Sequence, residues 1–130
     1  MRSNLEALLE EYSRIPEYTG IVLDSVETLS LFGSKPISVA AIRGLVSDVQ
    51  TLISAGTNVN ERGEHGYSPL HEAVAQGHLE VVKLLIRRGA DPSLKNDDLV
   101  TPVELSIMLN EHAITAFLSS ETDGPRRDTE

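Results

Sequence analysis

Apolar residues near the N-terminus recur at helical spacing. Leu5, Leu8, Leu9, Tyr12 and Ile15 form one stripe of a helix predicted over residues 3–15, because a period of about 3.6 residues gathers such positions on one face. Ser3 and Glu6 make a capping box at its start, and Pro16 is expected to end it. Ile21-Val22-Leu23 reads either as a short strand or as a buried loop. The clearest pattern runs from Gly66 to Asn96 and predicts two short helices joined by a turn. Ser68 stands as N-cap, with Pro69 at the first helical position, where its missing N–H costs nothing. Gly77 breaks that helix, the apolar run Val81, Val82, Leu84, Leu85 and Ile86 forms the next, and Gly89 supplies a left-handed stop.

These features recur. Pro36, Pro69 and Pro102 stand 33 residues apart, as do Gly33, Gly66 and Leu99. Ala40, Ala73 and Ser106 keep the same interval, and so do Gly44, Gly77 and Asn110, and Leu52, Leu85 and Leu118. The segment Ser68-Pro69-Leu70-His71-Glu72-Ala73 resembles the ankyrin repeat, whose signature is T-P-L-H-x-A at a period of about 33 residues. The resemblance covers roughly residues 30–120 and implies an all-α ankyrin repeat solenoid of about three helix-turn-helix units with an N-terminal cap helix. Residues 1–32 are then the cap, 33–65 the first repeat, 66–98 the second, and 99–120 the third repeat and C-terminal cap. A disordered tail is expected over 121–130, which holds one Gly, one Pro and no large apolar side chain. The first helix is read as a cover for the first repeat, the alternative being a helix offered to a partner.

The outer units depart from the middle one. Lys35 replaces the capping hydroxyl of Ser68, so the helix start should be weaker by about 1 kcal/mol. Asp48 and Thr51 stand where the middle unit has Val81 and Leu84, which suggests a face not covered by another full repeat. Thr101-Pro102-Val103-Glu104 restores a capping box around an N1 proline. Thr115 and Ser119 replace Val82 and Ile86, as a terminal unit with nothing stacked beyond it requires.

Charge narrows the partners. Eleven Lys and Arg against twenty Asp and Glu give a formal net charge of −9 at pH 7, which disfavours nucleic acid and favours a basic partner, or simply solubility. Cysteine is absent, so disulfides and thiolate metal sites are excluded, in keeping with a cytoplasmic protein. No signal peptide or membrane span is expected, since the first residues turn acidic and no long apolar run follows.

Catalysis is not expected. His71-Glu72 begins like a zinc-protease motif, but Ala75 stands where the second His is required. Family resemblance implies that His71 ties one unit's loop to its neighbour and that His78 is also structural. His65, at a finger tip, answers no demand of the fold and is read as a solvated loop residue or a partner contact. No cofactor or metal is implied.

In ankyrin stacks the concave face, made of finger tips and first helices, binds other proteins. The resemblance carries that role to Leu31, Phe32, Ser34, Ile42 and Arg43 in the first unit. Glu64, His65, Tyr67, Ala75 and Gln76 match in the second, and Asp97, Asp98, Val100, Met108 and Leu109 in the third. Phe32, Tyr67 and Met108 are the expected apolar anchors, with Glu64, Asp97 and Asp98 steering a basic protein. Leu31, Phe32, Ile42 and Leu109 also have a plainer reading, burial under the cap or between helices. The Leu-Phe-Gly-x-x-Pro opening, with Glu-His-Gly-Tyr-Ser-Pro-Leu-His-Glu-Ala after it, looks like bacterial immunity proteins of polymorphic toxin systems. That implies a monomer that binds a cognate toxin domain one to one and occludes its active site. The alternatives are a general cytosolic adaptor or regulatory subunit, and a metal protein or enzyme using His65 with nearby acids.

Overall fold

The structure, a computed structural model, describes residues 4–18 and 35–123. The expectations placed on Ser3, on Leu31, Phe32 and Ser34, on the strand or loop at 21–23 and on residues 124–130 lie outside these residues. Among the described residues every regular element is helical: α1 (Asn4–Tyr12), α2 (Pro36–Arg43), α3 (Val46–Ser54), α4 (Pro69–Ala75), α5 (Leu79–Arg87), α6 (Pro102–Met108) and α7 (His112–Asp123). Short 3₁₀ turns occupy Pro16–Tyr18 and Glu64–Gly66.

The helices pair as α2 with α3, α4 with α5 and α6 with α7, and the pairs stack side by side. First helices make one row, α2, α4 and α6, and second helices the other, α3, α5 and α7. The core lies between the rows. Ala40, Val49 and Leu52 of the first unit, Ala73, Val82 and Leu85 of the second, and Leu118 of the third are all fully buried. This is the all-α solenoid of three helix-turn-helix units that the 33-residue period predicts.

Local chemistry sets each helix start. Ser68 Oγ accepts from His71 N–H (3.2 Å) while Ser68 N–H donates to His71 Nδ1 (3.2 Å), a reciprocal box with an imidazole as its second member. Thr101 and Glu104 make the expected box around Pro102. Lys35 makes no side-chain cap; its ammonium instead reaches Glu61 Oε1 at 3.1 Å.

Helix α1 ends at Tyr12, three residues short of the predicted boundary at 15. The cause is Pro16, whose ring crowds the carbonyl four residues earlier. Tyr12 C=O accepts instead from Ile15 N–H at 3.0 Å, in a tighter turn. This helix packs on α3, and Tyr12 O–H donates to Asp48 Oδ2 (3.0 Å). The polar face of the first unit is therefore covered by α1, with Asp48 as its polar anchor.

The third unit brings two corrections. Helix α7 continues to Asp123, past the expected boundary at Ser120; the first helix breakers in the sequence are Gly124 and Pro125. Thr115 does not face an open outer side. Its hydroxyl lies 2.7 Å from that of buried Ser106 and also donates to Glu111 C=O. Ala40 and Val49 in the first unit, and Ala73 and Val82 in the second, are thus replaced together by a hydrogen-bonded Ser–Thr pair. The open end of the stack is apolar instead, with Leu99, Ile107 and Met108 all exposed.

Candidate functional site

The second and third units are tied to each other at their fingers. Asp97 N–H donates to His65 C=O (3.0 Å). His71 sits fully buried in α4 and reaches Val100 C=O through Nε2 at 2.8 Å. A carbonyl only accepts and the Ser68 N–H only donates, so the neutral imidazole carries its proton on Nε2. Burial holds the His71 pKa below the ordinary histidine value. His78 makes the corresponding tie backwards, with Nε2 3.0 Å from Ile42 C=O.

These ties shape a cavity of about 490 Å³ on the concave side, lined by Ile42, Glu64, His65, Tyr67, Glu72, Ala75, Gln76 and Asp98. The turn from Glu64 to Tyr67 enters the left-handed region at His65 (φ 59°) and Gly66 (φ 73°). A Cβ on Gly66 would lie 2.8 Å from Asp97 N, so the neighbouring finger's backbone demands glycine there. Tyr67 is half-buried, its ring 5.3 Å from that of His71. Burial, then the charges of Glu72 and Asp98, push its phenol pKa up. Glu72 is the residue that sequence reasoning missed. It is only 9 % exposed, and its carboxylate accepts no hydrogen bond among the described residues. Burial, with Glu64 adding repulsion, pushes its pKa up to about 7. A signal was available: the positions 33 residues away are Val39 and Leu105, both buried.

The structure brings Ile42, Glu64, His65, Tyr67, Ala75, Gln76 and Asp98 around one cavity and leaves other expected positions elsewhere. Arg43 lies with Tyr12, Leu45 and Asp48 beside α1, on a separate cavity of about 340 Å³. Val100 is half-buried against the core, and its carbonyl is engaged by His71. Asp97 is exposed at the finger edge, and Met108 and Leu109 are exposed at the end of α6. Among the described residues no cluster of three His, Asp or Glu side chains could hold a metal ion, and no helix is long and apolar enough to cross a membrane.

The sequence profile for ankyrin repeats in three copies matches residues 5–96, from within α1 to the third finger. The chain belongs to the ankyrin repeat family. Among curated relatives, this ankyrin chain is 36% identical over 94 residues to tyrosine-protein kinase Shark of Drosophila melanogaster, covering 72% of the chain and 10% of the kinase. It is 32% identical over 81 residues to protein phosphatase 1 regulatory subunit 27 of Mus musculus, or 62% of the chain and 53% of that protein. A third relative is alpha-latrocrustotoxin-Lt1a of Latrodectus tredecimguttatus, 36% identical over 75 residues, 57% of the chain and 5% of the toxin. The ankyrin chain thus spans at most about half the length of these relatives. All three are eukaryotic, and none is an immunity protein by name. Ankyrin repeats are protein-binding modules, and the coarse function follows from the family; the bacterial toxin role has no counterpart among these relatives.

Proposed function

We propose that the concave face between the second and third fingers binds a basic protein without catalysing a reaction. The observation that carries this reading is the cavity wall. Three carboxylates, Glu64, Glu72 and Asp98, surround a half-buried tyrosine, and the basic group among the lining residues is the exposed His65. Such a surface attracts a cationic partner at long range and offers an aromatic contact at close range. A monomer in a one-to-one complex, in a cytoplasmic setting, is the simplest form of this proposal. The narrower form is the immunity role, in which the bound protein is a toxin domain whose active site is covered. Its support is the charge of −9 and the Leu-Phe-Gly-x-x-Pro opening. The regulatory-subunit alternative draws on the mouse relative, a protein phosphatase 1 regulatory subunit.

The test pairs affinity capture with charge reversal. A prey recovered by the wild-type chain should be lost by Glu64→Lys/Asp98→Lys, with circular dichroism unchanged; equal recovery by both overturns the reading. Co-expression with a basic toxin domain separates the narrower form: survival should depend on the wild-type chain, and indifference to its deletion removes the immunity role.

A further inference from the structure

We infer that the cavity beneath the second finger is a receptor for one arginine side chain of the partner protein, with the Glu72 carboxylate at its base and the Tyr67 ring on its wall. This rests on the function proposed above and names the chemistry of its central contact.

The position of Glu72 is the main reason. Its counterparts in the neighbouring units are Val39 and Leu105, both buried. An apolar residue there would serve packing, as it does twice in this molecule. The middle unit instead holds a glutamate nine-tenths buried as a residue, its carboxylate without a hydrogen-bond donor among the described residues, at the wall of an open cavity. Native proteins rarely leave a buried acid unmatched, because its ionised form needs a donor or a counter-charge. Among the described residues no donor bonds this carboxylate, and the cavity leaves it open to an incoming cationic group.

Three features select guanidinium. Glu64 and Asp98 add negative charge at the rim, which excludes an anion and favours a permanent cation. Ile42, Ala75 and the Tyr67 ring line the same cavity, offering apolar surface to a three-carbon stem and a flat face for a planar cation to stack on. Arginine combines these properties: always charged, weakly hydrated, planar, and able to bind a carboxylate through two parallel N–H groups. Lysine brings a compact, strongly hydrated ammonium that fits the carboxylate but not the ring face. A bare metal ion fits poorly, since no three ligating side chains converge among the described residues.

The probe is Nα-acetyl-arginine amide, titrated into the full chain and followed by the backbone amide resonances of Tyr67, Ala75 and Gln76. Saturable shifts are expected from it, shifts at least several-fold weaker from the lysine analogue, and none from the neutral citrulline analogue. Glu72→Gln, which keeps the side-chain shape, should weaken arginine binding about tenfold with no fall in melting temperature. Citrulline binding like arginine, lysine binding as well as arginine, or an unchanged Glu72→Gln variant would each overturn the proposal.

A second measurement holds if that variant fails to fold. The titratable groups facing Glu72 are Glu64 and His65 of its own finger, Tyr67 beside it and Asp98 of the next finger. Replacing His65 removes the one imidazole from this set. In a His65→Gln background, arginine affinity should still rise about fivefold to tenfold between pH 6 and 8 as Glu72 ionises; a flat profile counts against the site. If the arginine probe fails while Glu64→Lys/Asp98→Lys still loses the protein prey, the receptor falls and the face reading stands. If both fail, both fall.

Discussion

Leu99 holds the left-handed backbone (φ 64°) that glycine supplies at the equivalent fingertip, Gly66. Two pressures demand glycine at position 66: the positive φ, and the Asp97 backbone nitrogen 2.8 Å from a would-be Cβ. At position 99 the first pressure persists but no further finger among the described residues supplies the second, and a leucine has entered with its side chain 71% exposed. Relief of left-handed strain, partly offset by the greater unfolded freedom of glycine, should make Leu99→Gly more stable by up to about 1 kcal/mol. Gly66→Ala should cost at least about 1–2 kcal/mol. Urea denaturation of the two variants checks both signs, and equal effects would show that the neighbouring finger is irrelevant.

Glu72 makes its prediction through pH. Its folded pKa of about 7 lies above the ordinary glutamate value of 4.5, so the folded state binds more protons between those limits. Stability from the neutral acid is fully present below about 4.5 and is lost as pH rises through about 7. Glu72→Gln removes this dependence. It should exceed wild type by up to about 3 kcal/mol at pH 8, with the gap closing toward pH 4.5. His71 works in the opposite sense. Its lowered pKa gives stability that is present above about 6.5 and declines as pH falls below it. Comparing the two chains across a pH series of chemical melts isolates the glutamate, and a constant difference would refute its burial as an acid.

At the scale of helices, the three first-helix starts form an internal experiment. Ser68 and Thr101 each close a reciprocal box, whereas Lys35 makes none. Lys35→Thr should stabilise the first unit by about 0.5–1 kcal/mol, reduced by the loss of the Lys35–Glu61 contact. A denaturation midpoint that falls would mean the ion pair outweighs the cap. Helix identity was legible here because prolines, glycines and capping residues act locally, within one turn. What sequence misjudged was mostly what a residue meets across space. Thr115 read as an outward polar position because it replaces Val82 on the last unit, and only the paired change at Ser106 reveals a hydroxyl bond. Arg43 read as a groove residue, yet it lies with α1 and Asp48 on a separate cavity. Glu72 was visible only by aligning units, since its neighbours in the motif hide it.

Across the whole molecule, stability comes from stacking rather than from any one helix pair. Units lean on one another through α2 with α4, α4 with α6, α3 with α5 and α5 with α7, and Leu85 is fully buried in the middle unit. Leu85→Ala should cost about 2–5 kcal/mol. With so few units, the loss should appear as one cooperative transition at lower temperature by both circular dichroism and tyrosine fluorescence. A melt barely displaced, or two separated transitions, would contradict a shared core. The overall architecture was legible because a period of 33 residues repeats the same instructions three times. The candidate surface was legible in outline, but the arrangement of carboxylates around one tyrosine depends on how adjacent fingers lean together.

The exposed leucine at the last fingertip bears on how this protein can grow. Ile107, 58% exposed, occupies the position where Val74 is fully covered by its successor, so the end face would welcome another pair of helices. A fourth module spliced on in register, however, would bring its own loop backbone against the Cβ of Leu99, as Asp97 would meet one at Gly66. Lengthening the array should therefore succeed only after Leu99→Gly: with it, the extended chain should melt higher than the parent, and without it the added module should stay frayed in hydrogen exchange.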